Sequence, residues 1–227
     1  GIAHEINNPL AGVLLYSSNM IKKVPKGEAL EEGLQVIIDE TIRCRKIIQE
    51  LLEFSKGSDP AKAPTDINET VFKALNILEN EFLLKRIEVD ENLASDLPNV
   101  MADGSQMEQV FVNLLINAVQ AVPNDGTVQV KSSLSEQESC VSIEVTDNGP
   151  GISRKEQSKI FEPFFSTKPD GTGLGLSVSY GIVRNHQGNI SVQSRPGKGT
   201  RFIVKIPITQ QKNKEMHGTV ERTAVSK

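Results

Sequence analysis

The sequence has no tryptophan, two tyrosines and eight phenylalanines in 227 residues. That leaves too few aromatic faces for the stacking platforms that hold single-stranded nucleic acid. A basic excess is missing too: 25 Lys and Arg against 29 Asp and Glu give a net charge of −4, whereas a nucleic-acid-binding surface normally shows a basic patch. Nucleic acid is therefore not the expected partner. Cysteine is scarce. Cys44 and Cys140 lie far apart and neither belongs to a Cys-x-x-Cys pair, so no zinc site or disulfide framework is expected and the reducing cytoplasm is the natural setting. No apolar run approaches the roughly 20 residues of a membrane span. The length allows one or two domains with a real core. A helical pattern already runs at residue 2, behind Gly1 rather than a methionine. The chain thus reads as a fragment, and any sensor or membrane anchor would lie upstream.

What is present begins with heptads. Ala3, Ile6, Leu10, Val13, Ser17, Met20 and Val24 are spaced as an a/d seam. "VPKGE" turns the chain at Pro25 and Gly27, and a second seam follows through Leu30, Leu34, Ile37, Thr41, Cys44, Ile48 and Leu51. Two such helices make an antiparallel hairpin that cannot cover its own apolar faces. Two hairpins paired about a two-fold axis as a four-helix bundle would cover them. A homodimer is expected, with an intramolecular coiled coil as the alternative. This unit occupies residues 1–57, a linker within "SKGSDPAKAPTD" takes 58–66, and a second domain takes 67–208. Residues 209–227 are polar and aperiodic, and are expected to be disordered.

The second domain mixes both periodicities. A helix is predicted from Asn68 to about Leu84, strands at "RIEVDENL" and "NVMAD", and a strong helix from Ser105 to Val122. "GTVQVKSSL" and "SCVSIEVTDN" form a hairpin, Thr172–Gln187 a helix, and "NISVQSRPGKGTRFIVKIPI" a closing hairpin turning at Pro196, Gly197 and Gly199. Helices segregated from mostly antiparallel strands indicate a two-layer α+β sandwich.

Four stretches carry chemistry. In "HEINNPL" the heptad register turns His4, Glu5 and Asn8 away from the bundle core, and His4 and Asn8 are neighbours at i,i+4. An exposed imidazole beside a carboxylate is either plainly solvated or a nucleophile. In "NLLINAVQA", Asn113 and Asn117 share a helix face, where an amide oxygen can ligate Mg²⁺ that keeps its waters and phosphate ligands. "DNGPGI" closes a strand with Asp147 and places Gly149 and Gly151 after it. Such a loop brings backbone close to a ligand, and a buried Asp accepts from an exocyclic amine like that of adenine. "FEPFFSTKPDGTGLGLS" joins a Phe-rich run, Lys168 and the glycine-rich entry to a helix, Gly171, Thr172, Gly173, Leu174 and Gly175. Backbone of that kind is a phosphate cradle.

In this order the stretches resemble the H, N, G1, F and G2 boxes of the sensor histidine kinases of two-component systems, over roughly residues 1–208. The resemblance implies a phosphoacceptor hairpin followed by a Bergerat-type ATP-binding domain like that of gyrase, Hsp90 and MutL, with ATP beneath a lid of about Ser153–Asp170. It implies that His4 receives the γ-phosphoryl group, Glu5 assists as base and Asn8 serves dephosphorylation of the partner. Asn117 would bind Mg²⁺ and Asp147 the adenine amine. Gly149 and Gly151 would shape the adenine pocket, and the Gly171–Gly175 run and Lys168 would meet the phosphates. The implied partner is an aspartate of a response-regulator receiver domain. The chain departs from the pattern in two ways. ATP-hydrolysing relatives carry a glutamate where this chain has Asn113, and an amide is a poor base. Many members also carry a basic residue and a tyrosine where this chain has Ala118-Val119-Gln120-Ala121, so the phosphate charge must be neutralised elsewhere, with Lys168 and Arg184 as candidates. A gyrase/Hsp90-like ATPase switch and a non-catalytic nucleotide-binding scaffold are the competing readings.

Overall fold

The two seams form helices α1 (Ile2–Ile21) and α2 (Ala29–Ser55). The turn between them begins where Lys23 N–H donates to Met20 O at 2.9 Å, and it uses Gly27 at φ +84°, a backbone region costly for residues with a Cβ. Glu31 and Glu32 lie in the first turn of α2, where acidic side chains suit the helix dipole. A computed structural model describes residues 2–55, 60–168 and 171–208; the expected tail and part of the expected linker lie outside them. Within the single chain the seam is half covered. Ser17, Leu34 and Thr41 are buried, while Ile6, Val13, Met20, Leu30 and Ile37 remain exposed.

Downstream, β1 (Ala63–Thr65) leads to α3 (Ile67–Ile77), α4 (Glu79–Lys85), β2 (Glu88–Asn92), β3 (Val100–Ala102) and α5 (Gly104–Ala121). Then come β4 (Thr127–Ser135), β5 (Cys140–Asp147), α6 (Arg154–Gln157), α7 (Gly175–Asn185), β6 (Asn189–Ser194) and β7 (Thr200–Pro207). Five strands form one sheet in the order β2-β4-β5-β7-β6, and β1 pairs with β3 apart from it. All neighbours in the large sheet are antiparallel except β2 and β4.

The sheet buries one face. Val128, Val130 and Ser132 on β4, Val141, Ile143, Val145 and Asp147 on β5, and Phe202, Val204 and Ile206 on β7 are inward and in register. Helix α5 lays Met107, Val110, Phe111, Leu114, Leu115, Ala118 and Val119 into the core, the 3–4 spacing of an amphipathic helix. The result is the expected helical hairpin followed by a helix-on-sheet sandwich.

Three local expectations are corrected. The helix expected from Asn68 to Leu84 is two helices, because Leu78 leaves helical geometry at φ −104°, ψ 8°, its N–H donating to Leu75 O three residues back. The linker contains β1, tied to the body where Ala61 N–H donates to Asp103 Oδ2 at 3.0 Å and Lys62 Nζ to Asn185 O at 2.8 Å. The last long helix starts at Gly175 rather than Thr172, since Gly173 at φ +71° lies outside right-handed helical geometry.

Beneath the β1 staple, His186 is fully buried. Its Nε2 accepts from Asp103 N–H at 3.0 Å, which puts the ring proton on Nδ1, 2.8 Å from Ile182 O. Burial lowers its pKa below the ordinary histidine value, Ile182 O opposes this, and Lys62 adds to it. Asp103 in turn caps α5, its Oδ1 accepting from Ser105 and Gln106 N–H.

Candidate active site

The core face of α5 leaves a polar stripe at Asn113, Asn117 and Gln120, spaced i, i+4, i+7. Asn113 Nδ2 donates to Gly175 O at 3.2 Å and to Ser179 Oγ at 3.3 Å, so this amide ties α5 to the first turn of α7. It is an anchor and has no basic character. Asn117 Nδ2 donates to Asn113 O at 2.9 Å. That bond fixes the amide, so its oxygen is the atom left to meet cations. Lys168 Nζ lies 3.1 Å from Asn117 Oδ1 and 2.7 Å from Gln120 Oε1.

Asp147 is the last inward residue of β5 and only 6% exposed. Its Oδ1 accepts from Gly149 N–H at 2.9 Å and Thr200 N–H at 3.3 Å. Among the described residues its Oδ2 accepts no hydrogen bond. Burial pushes the carboxyl above the usual carboxylate range. The two backbone N–H groups and the Lys168 charge draw it part of the way back. A buried carboxylate with one satisfied and one open oxygen is suited to receive an amine from a ligand.

The loop after Asp147 is clamped on both sides. A Cβ at Gly149 would sit 2.9 Å from Ala121 O. Gly151 has φ +73°, and a Cβ there would collide with Arg195 O. Thr200 N–H and the β6–β7 turn thus brace the Asp147 loop, a support that no motif in the sequence pointed to. Ser153 and Glu156 then form a capping box on α6.

The segment before α7 carries the lysine. Ser166 Oγ accepts from Lys168 N–H and donates to Lys168 O, both at 3.1 Å, and Gly171 N–H donates to the same Lys168 carbonyl at 3.2 Å. Gly173, at φ +71°, passes so close to Phe164 and Phe165 backbone that a Cβ would collide. Leu174 is buried and Gly175 opens α7 against Asn113. The positive end of α7 therefore faces the amide stripe of α5. Burial lowers the Lys168 pKa below the ordinary lysine value; Asp147 opposes this and Lys85 reinforces it.

The structure thus gathers Asn113, Asn117, Lys168 and Gly175 around the C-terminal half of α5, and the close approach of Gly149 to Ala121 O brings the Asp147 loop to the same end. Arg184 does not join them: it lies exposed in the last turn of α7, nine residues from Gly175, about 13 Å along the axis at 1.5 Å per residue. Of these two basic residues, Lys168 is the one that lies against the amide stripe. Gln120 and Thr200 are the members that sequence reasoning missed. His4, Glu5 and Asn8 lie on α1, where Asn8 is exposed; the side chains of His4 and Glu5 are outside the described set.

The family described as histidine kinase-, DNA gyrase B- and HSP90-like ATPase matches residues 102–210, and the His Kinase A (phospho-acceptor) domain matches residues 1–60. The chain belongs to the histidine kinases. The catalytic domain of the histidine kinase ThkA is 33% identical, with 63% of this chain covering 95% of that one at a TM-score of 0.58. ThkA in complex with the response regulator protein TrrA is 30% identical over 92% of this chain and 60% of that one, at a TM-score of 0.70. The sensor histidine kinase ZraS of Escherichia coli O157:H7 is 36% identical over 92% of this chain and 45% of its own length. The chain thus spans about half the length of that relative. Among the described residues no helix is long and apolar enough to cross a membrane.

Proposed function

We propose that the chain is the catalytic core of a sensor histidine kinase that phosphorylates itself on His4 from ATP and passes the phosphoryl group to an aspartate of a response-regulator receiver domain. The observation that carries this is that two groups meet the same end of α5: the loop of Asp147, a buried acceptor for a base amine, abuts Ala121 through Gly149, and Lys168, an ammonium for polyphosphate, lies on Asn117 and Gln120. Asp147 Oδ2 takes the adenine amino group, and Gly149 and Gly151 let the backbone approach the ring. Lys168, Thr172, Leu174 and the glycines Gly171, Gly173 and Gly175 meet the phosphates at the start of α7. The Lys168 ammonium on Asn117 Oδ1 supports reading that oxygen as a cation position. A single neutral amide suits Mg²⁺ that brings its other ligands as waters and phosphate oxygens. Held there by Asn117, it would supply charge neutralisation on the phosphates.

The rest is positioning. A lone pair of the His4 imidazole attacks the γ-phosphorus. The N–P bond forms as the bond to the bridging oxygen breaks, ADP leaves, and Glu5 takes the proton from the other ring nitrogen. The phosphoramidate is labile, so the group can pass to a receiver aspartate docked on the hairpin, and Asn8 would hold water for the reverse, hydrolytic reaction. The exposed seam residues Ile6, Val13, Met20, Leu30 and Ile37 favour a homodimer through α1 and α2. Asn113, engaged with α7 and lacking basic character, disfavours an ATPase switch.

Steady-state ATP turnover discriminates. The kinase reading expects protein labelling that levels off with little free phosphate while no receiver is present. Sustained phosphate release from unlabelled protein would favour the ATPase reading, and binding without either would favour a scaffold.

A further inference from the structure

The amide stripe of α5 ends on a residue with no part in the core. Gln120 is exposed, yet its Oε1 makes the shorter of the two side-chain bonds to Lys168, 2.7 Å against 3.1 Å to Asn117 Oδ1. Ser166 fixes the lysine backbone from the other side, so the ammonium is placed from both ends. Asn117 faces conflicting demands. Its Oδ1 is the cation position of the proposed site, and the Lys168 ammonium sits on that same atom. A lysine with no other acceptor would compete with a divalent cation for it.

Gln120 removes the conflict. It lies one helical turn beyond Asn117 on the same stripe, and an ammonium has three N–H groups to distribute. Lys168 can give up Asn117 and stay bonded to Gln120, with its remaining N–H groups turned to phosphate oxygens. We propose that Gln120 is a positioning residue of the nucleotide site: its side-chain carbonyl holds Lys168 beside α5, so that the ammonium serves the polyphosphate and leaves Asn117 to the cation. This rests on the reading of the site as an ATP site.

The test is equilibrium binding of ATP and of adenosine to the whole chain over a range of Mg²⁺ concentrations. The proteins are wild type, Gln120→Met, Lys168→Met, the double variant, and the exchange Gln120→Lys with Lys168→Gln. Hydrogen bonds to charged groups have the size to make Gln120→Met weaken ATP binding about tenfold, and the Mg²⁺ needed for half-maximal ATP binding rises. Adenosine affinity stays at the wild-type value, which also reports an intact fold. In the Lys168→Met background the Gln120 change has no further effect, and the exchanged pair recovers most of the ATP affinity. An unchanged ATP affinity and Mg²⁺ demand in Gln120→Met overturns the proposal. So does a defect that persists without Lys168, or one that extends to adenosine. Wild type that binds no ATP defeats the reading of the site as well; wild type that binds, with a silent Gln120, defeats the proposal alone.

Discussion

The backbone N–H of Thr200 donates to Oδ1 of Asp147 at 3.3 Å across 53 residues of sequence, so the start of β7 holds the carboxylate that closes β5. With Gly149 N–H on the same oxygen, one half of the carboxylate is committed to the fold, and the other is the half that the proposed site gives to the adenine amine. On that reading, structure and recognition are divided between two atoms of one side chain.

That division makes Asp147→Asn informative. An amide oxygen can still accept from Gly149 and Thr200, while the desolvated charge disappears. An acid whose folded pKa is raised binds its proton more tightly folded than unfolded. Its penalty on stability therefore sets in as pH rises from the ordinary carboxylate value, about 3.9, through the raised one, and is complete above it. Thermal melts from pH 4 to 8 are expected to show Asp147→Asn gaining on wild type across that window and at least as stable at pH 7, with ATP binding lost. A variant clearly less stable than wild type at pH 7 contradicts this.

His186 is expected to behave oppositely. Its neutral ring satisfies Asp103 N–H, and its pKa is lowered by burial. The stability it contributes is present above the ordinary histidine value, about 6.5, and is lost as pH falls through the lowered folded value. His186→Leu leaves that N–H without its acceptor and should cost about 1–3 kcal/mol at pH 7. Denaturant titrations at pH 7 and at acid pH should show the gap from wild type shrinking in acid. A gap independent of pH would refute this role.

The uncovered seam predicts the oligomer. Ile37 is 45% exposed at a seam position, so Ile37→Asp should convert a dimer to monomer in sedimentation. Leu83→Asp, changing an exposed leucine on α4, should leave the dimer intact. A monomeric wild type, or a dimeric Ile37→Asp, would show that the hairpin faces are covered some other way.

Much of the site was legible because its members sit in short contiguous motifs. Asn113 and Asn117 are one turn apart on a helix, and Asp147 with Gly149 and Gly151 falls at a strand end. Their spacing alone places them on a face or in a loop. Contacts between distant segments were not legible. Lys168 and Gln120 are 48 residues apart, and Asp103 and His186 are 83 apart; nothing local marks either pair. The same limit explains the fold corrections. Leu78 carries no breaker signal, and Val71, Ala74, Leu75, Leu78 and Phe82 keep one helical face across the break, so the apolar period runs straight through it. β1 is three residues long and exists through its pairing with β3, so no periodicity announces it.

The most direct measurement of the central claim is incubation with γ-labelled ATP and Mg²⁺ of wild type, His4→Gln and Asp147→Asn, followed by acid and base treatment of the protein. The account predicts a label on wild type that is lost in acid, survives base and is absent from both variants. A label retained by His4→Gln, or one stable to acid, would contradict it.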